Sequence, residues 1–386
     1  MPDARPVVVV AGLGDTGVLV ATRLARRYRV VAVATRPGLV SGQELGTRLV
    51  DPDRWRRSYL VPYHRFRRLD RVERLHGRIS AADLDAGTVE VALADGTSVT
   101  QRYDALVVAT GVTNGFWRHD RVEDLAAAEA GVDAVRADLA GARTVAVVGG
   151  GATGVSVAAN LARAGRADVH LFVSGDAPLP GYHPRVRRWA TGVLTRDGVT
   201  LHPGHRAVIP AGFTGDRPTH EPVEWSTVQA PFAADVVLWA TGAVHPHSGF
   251  LPAAVLDPDG FVRVDAHLRV PGYPQVFAVG DVAASDPLRS SARNWGYRVV
   301  VTNVRRTLTA AGPTPGHSRG RAPRRLARYR APAYRWGSVL GLRDDGLTVV
   351  QPRGARFRLP RRIAEPLLFR GVVDRVLYGG LRPPAP

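Results

Sequence analysis

Cysteine and lysine are both absent from the 386 residues, and methionine occurs once. Without cysteine there is no disulfide framework, no thiolate ligand for a metal and no redox-active dithiol. All 52 basic residues are therefore Arg. Ile and Asn are scarce while Ala, Gly, Val, Arg and Pro abound, the bias of a GC-rich genome, so part of the Arg excess is compositional. No run approaches the roughly 18 uncharged apolar residues that span a bilayer. The apolar run Val7–Val10 is too short for the core of a signal peptide and predicts a buried first strand. The expected location is cytoplasmic.

With 45% hydrophobic and 22% charged residues, the composition is globular, and the length suggests two or three domains. The charge of +18 is unevenly spread: residues 318–386 hold 16 Arg against 4 acidic residues, +12 of the total. Such a basic C-terminal region suits an anionic membrane surface, nucleic acid or acidic partners.

Val7–Val10 leads into Gly12, Gly14 and Gly17, a helical stretch to about Arg27 and a second strand, Arg29–Ala34. Residues 41–80 read as irregular, with Arg and aromatics interleaved from Arg54 to Arg68. A hairpin is expected at Asp95-Gly96, then an apolar strand ending Ala109-Thr110-Gly111. The pattern restarts with strand Thr144–Val148, turn Gly149–Gly154, helix Val155–Ala164 and strand Val169–Val173. Strand Asp235–Trp239 closes it before Ala240-Thr241-Gly242. Two copies of one nucleotide-binding module, about 137 residues apart, outweigh any single motif. Pro271–Asp281 reads as a further strand, 312–334 as a linker, and 335–386 as a hairpin with a final helix.

Gly12-Leu13-Gly14-Asp15-Thr16-Gly17 matches the dinucleotide fingerprint in its proper context, after a strand and opening a helix. Asp15 places a carboxylate in a loop suited to a pyrophosphate, so it must point away. The acid expected at the end of the second strand is missing: Thr35 and Arg36 stand there, and the Thr hydroxyl can still bond a ribose. The second turn offers Gly149, Gly151 and Gly154, again with no acid after the following strand, where Ser174 stands. Ser174 with Arg185, Arg187 and Arg188 leans toward the 2′-phosphate of NADPH. In so Arg-rich a chain these arginines can equally be a solvated face.

These residues resemble a known family. Val147–Asn160 (VVGGGATGVSVAAN), Leu179–Arg187 (LPGYHPRVR) and Ala234–Gly242 (ADVVLWATG) are similar to segments of type II NADH dehydrogenases and of apoptosis-inducing-factor-like, ferroptosis-suppressor flavoproteins. So are Asp259–Ala283 (DGFVRVDAHLRVPGYPQVFAVGDVA) and Trp336–Leu347 (WGSVLGLRDDGL). The resemblance covers nearly the whole chain apart from 41–80.

It implies an α/β fold with two Rossmann-like dinucleotide-binding domains plus a small C-terminal region. FAD would occupy residues 1–115 with 243–311, NADH or NADPH residues 116–242, and 312–386 would be the basic C-terminal region. By position Gly280, Asp281, Thr110 and Gly111 would meet the flavin, Gly242 would close the second site, and Asn294 and Trp295 would lie near the isoalloxazine and the acceptor. Ser156 replaces the Glu that this family usually carries beside the nicotinamide. The implied activity is NAD(P)H oxidation through FAD to a quinone-like or other non-thiol acceptor, with peripheral contact to the inner face of the membrane. A diverged flavoprotein acting on a small molecule and a non-catalytic nucleic-acid binder using 54–68 and 319–335 are the alternatives, and a homodimer is open.

No metal constellation is apparent, and His245-Pro246-His247 reads as a loop. After Pro366, a helical wheel puts Leu368, Phe369, Val372, Val373, Val376 and Leu377 on one half and Tyr378 on the other. With the upstream arginines, that face suits an anionic bilayer surface, or else packs on the protein's own core or a second subunit.

Overall fold

A computed structural model describes residues 5–41, 45–113, 119–242, 244–285, 288, 295–310 and 325–383. The first module runs β1 (Val7–Ala11), α1 (Asp15–Leu24), β2 (Arg29–Ala34), α2 (Leu45–Val50), α3 (Pro52–Ser58), β3 (Val72–Asp83), β4 (Thr88–Leu93), β5 (Ser98–Arg102) and β6 (Ala105–Val108). The second runs α4 (Leu125–Gly141), β7 (Thr144–Val148), α5 (Ala152–Arg163), β8 (Asp168–Phe172), α6 (Pro184–Arg196), β9 (Thr200–His202) and β10 (Val236–Trp239). The chain then returns with β11 (Val276–Ala278) and α7 (Gly296–Ala310).

The first sheet has the order β11-β6-β1-β2-β3-β4-β5. Its first five strands are parallel, and β3, β4 and β5 form an antiparallel meander. Val8, Val10 and Phe277 pack under α1 and α7, while Val9, Val31 and Leu106 pack with residues of the meander and of the 251–283 loops. Burial on both faces explains the uninterrupted valine runs. The second sheet, β9-β8-β7-β10, is parallel throughout. Helices α4, α5 and α6 cover one face; Phe213, Trp225 and Phe232 from the irregular stretch before β10 cover the other. The two repeated Rossmann-like units are thus present.

Three expectations are corrected. Residues 41–80 are not irregular: α2 and α3 lie there, and the Arg/aromatic alternation is an amphipathic one. Trp55 and Phe66 are fully buried, Trp55 in the second module's core beside Val145 and Val155. Those aromatics have no free faces for stacking with bases, which removes half of the nucleic-acid reading. Next, the Gly-Asp strand is only Val276–Ala278. Lastly, the final helix, Ala364–Leu377, is π-helical, and its wider winding shifts the phase of the wheel. Leu368, Phe369, Val373 and Leu377 pack inward, Tyr378 is buried edge-on against Phe66, and Val372 and Val376 face solvent.

The C-terminal strands Leu342–Arg343, Gly346–Val350 and Arg356–Leu359 form an antiparallel sheet on the second module. Arg54 Nη1 donates to the Leu342 carbonyl at 2.7 Å, and Asn160 Nδ2 to that of Leu340 at 3.1 Å. The tail then crosses back, where Arg382 pairs with Asp70.

Candidate cofactor and active site

Both glycine turns open onto one cavity of about 1090 Å³ at the carboxyl ends of the parallel strands. Sites for small ligands usually span about 300–1,000 Å³, so this one has room for a large cofactor. The glycines divide their work identically in the two modules. A Cβ on Gly17 would lie 1.8 Å from the Gly12 carbonyl oxygen, and one on Gly154 would lie 1.9 Å from that of Gly149. Gly12 and Gly149 adopt φ of +95° and +124° against the strands that end near Ala109 and Ala240. Gly14 and Gly151, in contrast, meet nothing within 4 Å and line the cavity.

Gly14 and Gly151 are also the N-caps of α1 and α5, and neither helix start is capped by a side chain. The caps of α3, α4 and α6 are filled by Asp51, Asp124 and His183. Two uncapped helix N-termini facing one cavity fit two pyrophosphates. Asp15, at the first position of α1, lines the cavity and accepts from the Ser41 hydroxyl at 2.8 Å. The buried Tyr63 hydroxyl donates to the Leu13 carbonyl at 2.8 Å and fixes the turn, and burial drives its pKa upward.

At the far end, Thr35 and Arg36 line the wall after β2, with Arg78, His119 and Asp120. Arg36 Nε donates to the Glu123 carboxylate, and Arg36 Nη2 lies 3.1 Å from His119 Nδ1. Burial, reinforced by Arg36, pushes His119 down to about 4. Arg78 pairs with Asp120 at 2.7 Å.

Thr110, Gly111, Gly242, Gly280 and Asp281 also line the cavity. Thr110 Oγ1 donates to the His247 carbonyl at 2.6 Å. His247 is no loose loop: His245–Pro246 pairs antiparallel with Val112–Thr113, and His247 Nε2 lies 2.7 Å from Thr113 Oγ1. Burial lowers its pKa. At the second module, Tyr182, Arg335 and Trp336 reach the wall beside Gly151. No linear spacing announces Tyr63, Arg78, His119, Tyr182, His247, Arg335 or Trp336 as residues of this wall.

Other candidates lie elsewhere. Ser156 is buried under α2: a Cβ on Gly46 would come within 2.8 Å of its Oγ, which has no hydrogen-bond partner. The close approach of α2 explains why a small residue replaces the longer acid. Ser174 and Arg188 are exposed and off the cavity wall, and Arg187 is committed to the loop after β8, donating to Asp176 at 2.6 Å and to the Pro178 carbonyl. Trp295 is 59% exposed with φ +73° and carries the Arg298 guanidinium 4.4 Å over its ring, away from the cavity. Asn294 lies outside the described residues. Among the described residues no cluster of His or carboxylates could hold a metal.

The sequence profile of the pyridine nucleotide-disulphide oxidoreductase family matches residues 6–314. The chain belongs to this family. It does so without a single cysteine, so no disulfide is reduced on its own thiols. Ferroptosis suppressor protein 1 of Taeniopygia guttata is 27% identical over 233 residues, 58% of this chain and 62% of that protein. The type II NADH:quinone oxidoreductase Ndh of Mycobacterium tuberculosis is 24% identical over 81% of this chain and 75% of that one. Both belong to the groups that the sequence motifs resemble. Among solved structures, an NAD-dependent persulfide reductase from A. fulgidus superposes with a TM-score of 0.60 at 21% identity, covering 80% of this chain and 60% of that one.

Proposed function

We propose that the protein is an FAD-dependent oxidoreductase that oxidises NAD(P)H and passes the electrons to a quinone-like or other non-thiol acceptor. The observation that carries this reading is the pair of uncapped glycine turns opening on one cavity, with Gly280 and Asp281 on its wall. Residues 1–115 with 243–311 hold FAD, the Gly12–Gly17 turn lying under its pyrophosphate and Asp281 near its ribityl chain. Residues 116–242 hold the nicotinamide cofactor at Gly151, and 312–386 form the basic C-terminal region. Bound flavin supplies hydride acceptance and electron release; the chain supplies orientation and exclusion of water. Tyr63 fixes the first turn, while Tyr182 and Arg335 flank the second. The name of the NADH:quinone relative supports a quinone acceptor.

Membrane contact through the C-terminal region belongs to the same reading. Ile363, Leu367, Val372 and Val376 are exposed beside arginines, and no described helix is long and apolar enough to cross a membrane. The deciding experiment is anaerobic addition of NADH and of NADPH to purified protein. Bleaching of the flavin band, reversed by a benzoquinone or naphthoquinone, supports the function, whereas a colourless protein that takes up no FAD overturns it.

A further inference from the structure

The end of β2 lacks the carboxylate that normally meets an adenosine ribose in this architecture, and it carries Arg36 instead. A free Arg there would invite a 2′-phosphate, which FAD does not have. Arg36 is not free. Its Nε donates to Glu123, and its Nη2 lies against His119, with the two side chains of the Arg36–Glu123 pair 13% and 16% exposed. The Glu123 amide donates to the Thr35 carbonyl at 2.9 Å, anchoring Glu123 on the strand end itself. The neighbouring guanidinium, Arg78, is countered by Asp120. Both carboxylates come from 119–124, the segment that leaves the first module for α4. Among the described residues no hydrogen bond is made by Arg36 Nη1, and Arg36 lines the wall of the cavity.

We infer that Glu123, a positioning residue behind the cavity wall, pairs Arg36 at the end of β2 and thereby makes this subsite select an adenosine ribose with a free 2′-hydroxyl. Arg36, held neutral in effect by Glu123, presents Nη1 to ribose oxygens rather than an unpaired charge to a phosphate. The crossover between the modules is thereby a part of the first cofactor site. This assignment rests on the proposed binding of FAD to the first module.

The test uses full-length, flavin-loaded protein and follows FAD release by flavin fluorescence. Glu123→Gln keeps the shape and unpairs Arg36; release should speed by about tenfold, the scale of one charge-assisted contact. Competition supplies a readout that loss of packing would not give. Wild-type protein should lose FAD to ADP-ribose more readily than to its 2′-phosphorylated form, Glu123→Gln should reverse that order, and the double variant Arg36→Gln/Glu123→Gln should abolish the reversal. If Glu123→Gln releases FAD at the wild-type rate and keeps the wild-type order, the assignment is wrong while the functional reading stands. Faster release without the reversal also overturns it, because Glu123 is then only packing. Wild-type protein that holds no flavin overturns both.

Discussion

Arg343 donates to Asp197 at 2.5 Å, and both side chains are less than a tenth exposed. The pair joins the first C-terminal strand to the end of α6, so the basic region is docked on the second module through a buried ion pair. Removing one partner of such a pair leaves an uncompensated charge and costs about 3–5 kcal/mol. Arg343→Met should therefore lower the free energy of denaturant unfolding by that order. Arg343→Met with Asp197→Leu should recover most of it, since no buried charge is then stranded: Arg163, 3.9 Å from Asp197, is 38% exposed. A single variant as stable as wild type would mean that the pair contributes nothing.

The divided labour of the glycines separates folding from binding. Gly17→Ala places a Cβ where 1.8 Å separates it from the Gly12 carbonyl, so the first turn must distort and thermal stability should drop. Gly14→Val enters open space, so the protein should fold and melt near the wild-type temperature yet purify without the yellow colour. Full flavin content in Gly14→Val would remove the first turn from the pyrophosphate site.

NADPH should be preferred over NADH, because Ser174 rather than an acid follows β8 and the next acid, Asp176, is tied to Arg187. The two arginines differ in their engagement. Arg187 is tied to Asp176, whose carboxyl it holds below the usual range, so Arg187→Ala should raise the KM of both nucleotides by loosening that loop. Arg188 is exposed but off the cavity wall, so Arg188→Ala should weaken NADPH alone, by about 1–3 kcal/mol, only where the 2′-phosphate extends out of the cavity to reach it. Equal losses for both nucleotides in Arg188→Ala would end the preference argument.

Acid should loosen the adenosine end of the cavity. His119 sits at about 4 in the folded protein against an ordinary 6.5, because of burial and Arg36; Glu123 and Asp120 pull the other way and Arg121 adds to Arg36. The folded value is the lower one, so the unfolded chain takes up the extra proton between the two. The contribution of His119 is fully present above about pH 6.5 and is lost as the pH falls toward about 4. His170, His202 and His247 shift in the same direction, also through burial. The difference between wild type and His119→Asn is therefore what isolates His119: the variant's melting temperature should fall less between pH 7 and pH 5.

The parallel cores and both glycine turns were legible because buried strands and pyrophosphate loops leave local signatures: unbroken Val runs, and glycine at fixed spacing. Arg36, Glu123 and His119 meet across about 85 residues of chain, and Tyr182 meets Arg335 from the other end of the molecule; no periodicity encodes such meetings. Residues 41–80 hide their helices because Arg serves both sides of them: Arg48 and Arg54 are buried while Arg57 and Arg67 face solvent. Ser156, in the place of the family's Glu, is a catalytic candidate by sequence position alone. Its burial under Gly46 depends on how closely α2 approaches α5, which only the packed structure reveals.

The C-terminal helix divides its apolar residues between two tasks. Leu368, Phe369, Val373 and Leu377 are spent on the core, which accounts for part of the wheel without any membrane. Ile363, Leu367 and Val376 are 42%, 60% and 63% exposed, and Phe357 stands at 45% on the strand before them. Arg353, Arg356, Arg358, Arg361 and Arg362 lie just upstream. Some of these arginines are engaged, Arg358 with Asp345 and Arg361 with Asp344, but on exposed pairs that contribute little and are screened by salt. An exposed apolar stripe beside arginines is what an interfacial helix presents, each Arg adding about 1 kcal/mol near anionic lipid. Full-length protein should co-sediment with anionic vesicles at low salt and dissociate as salt rises. Ile363→Ser/Leu367→Ser/Val376→Ser touches only exposed positions, so it should fold normally yet bind vesicles at least about tenfold more weakly. Equal binding by the variant would assign the attraction to charge alone. If neither protein sediments with lipid, the stripe meets another protein surface and the electron acceptor reaches the flavin from solution.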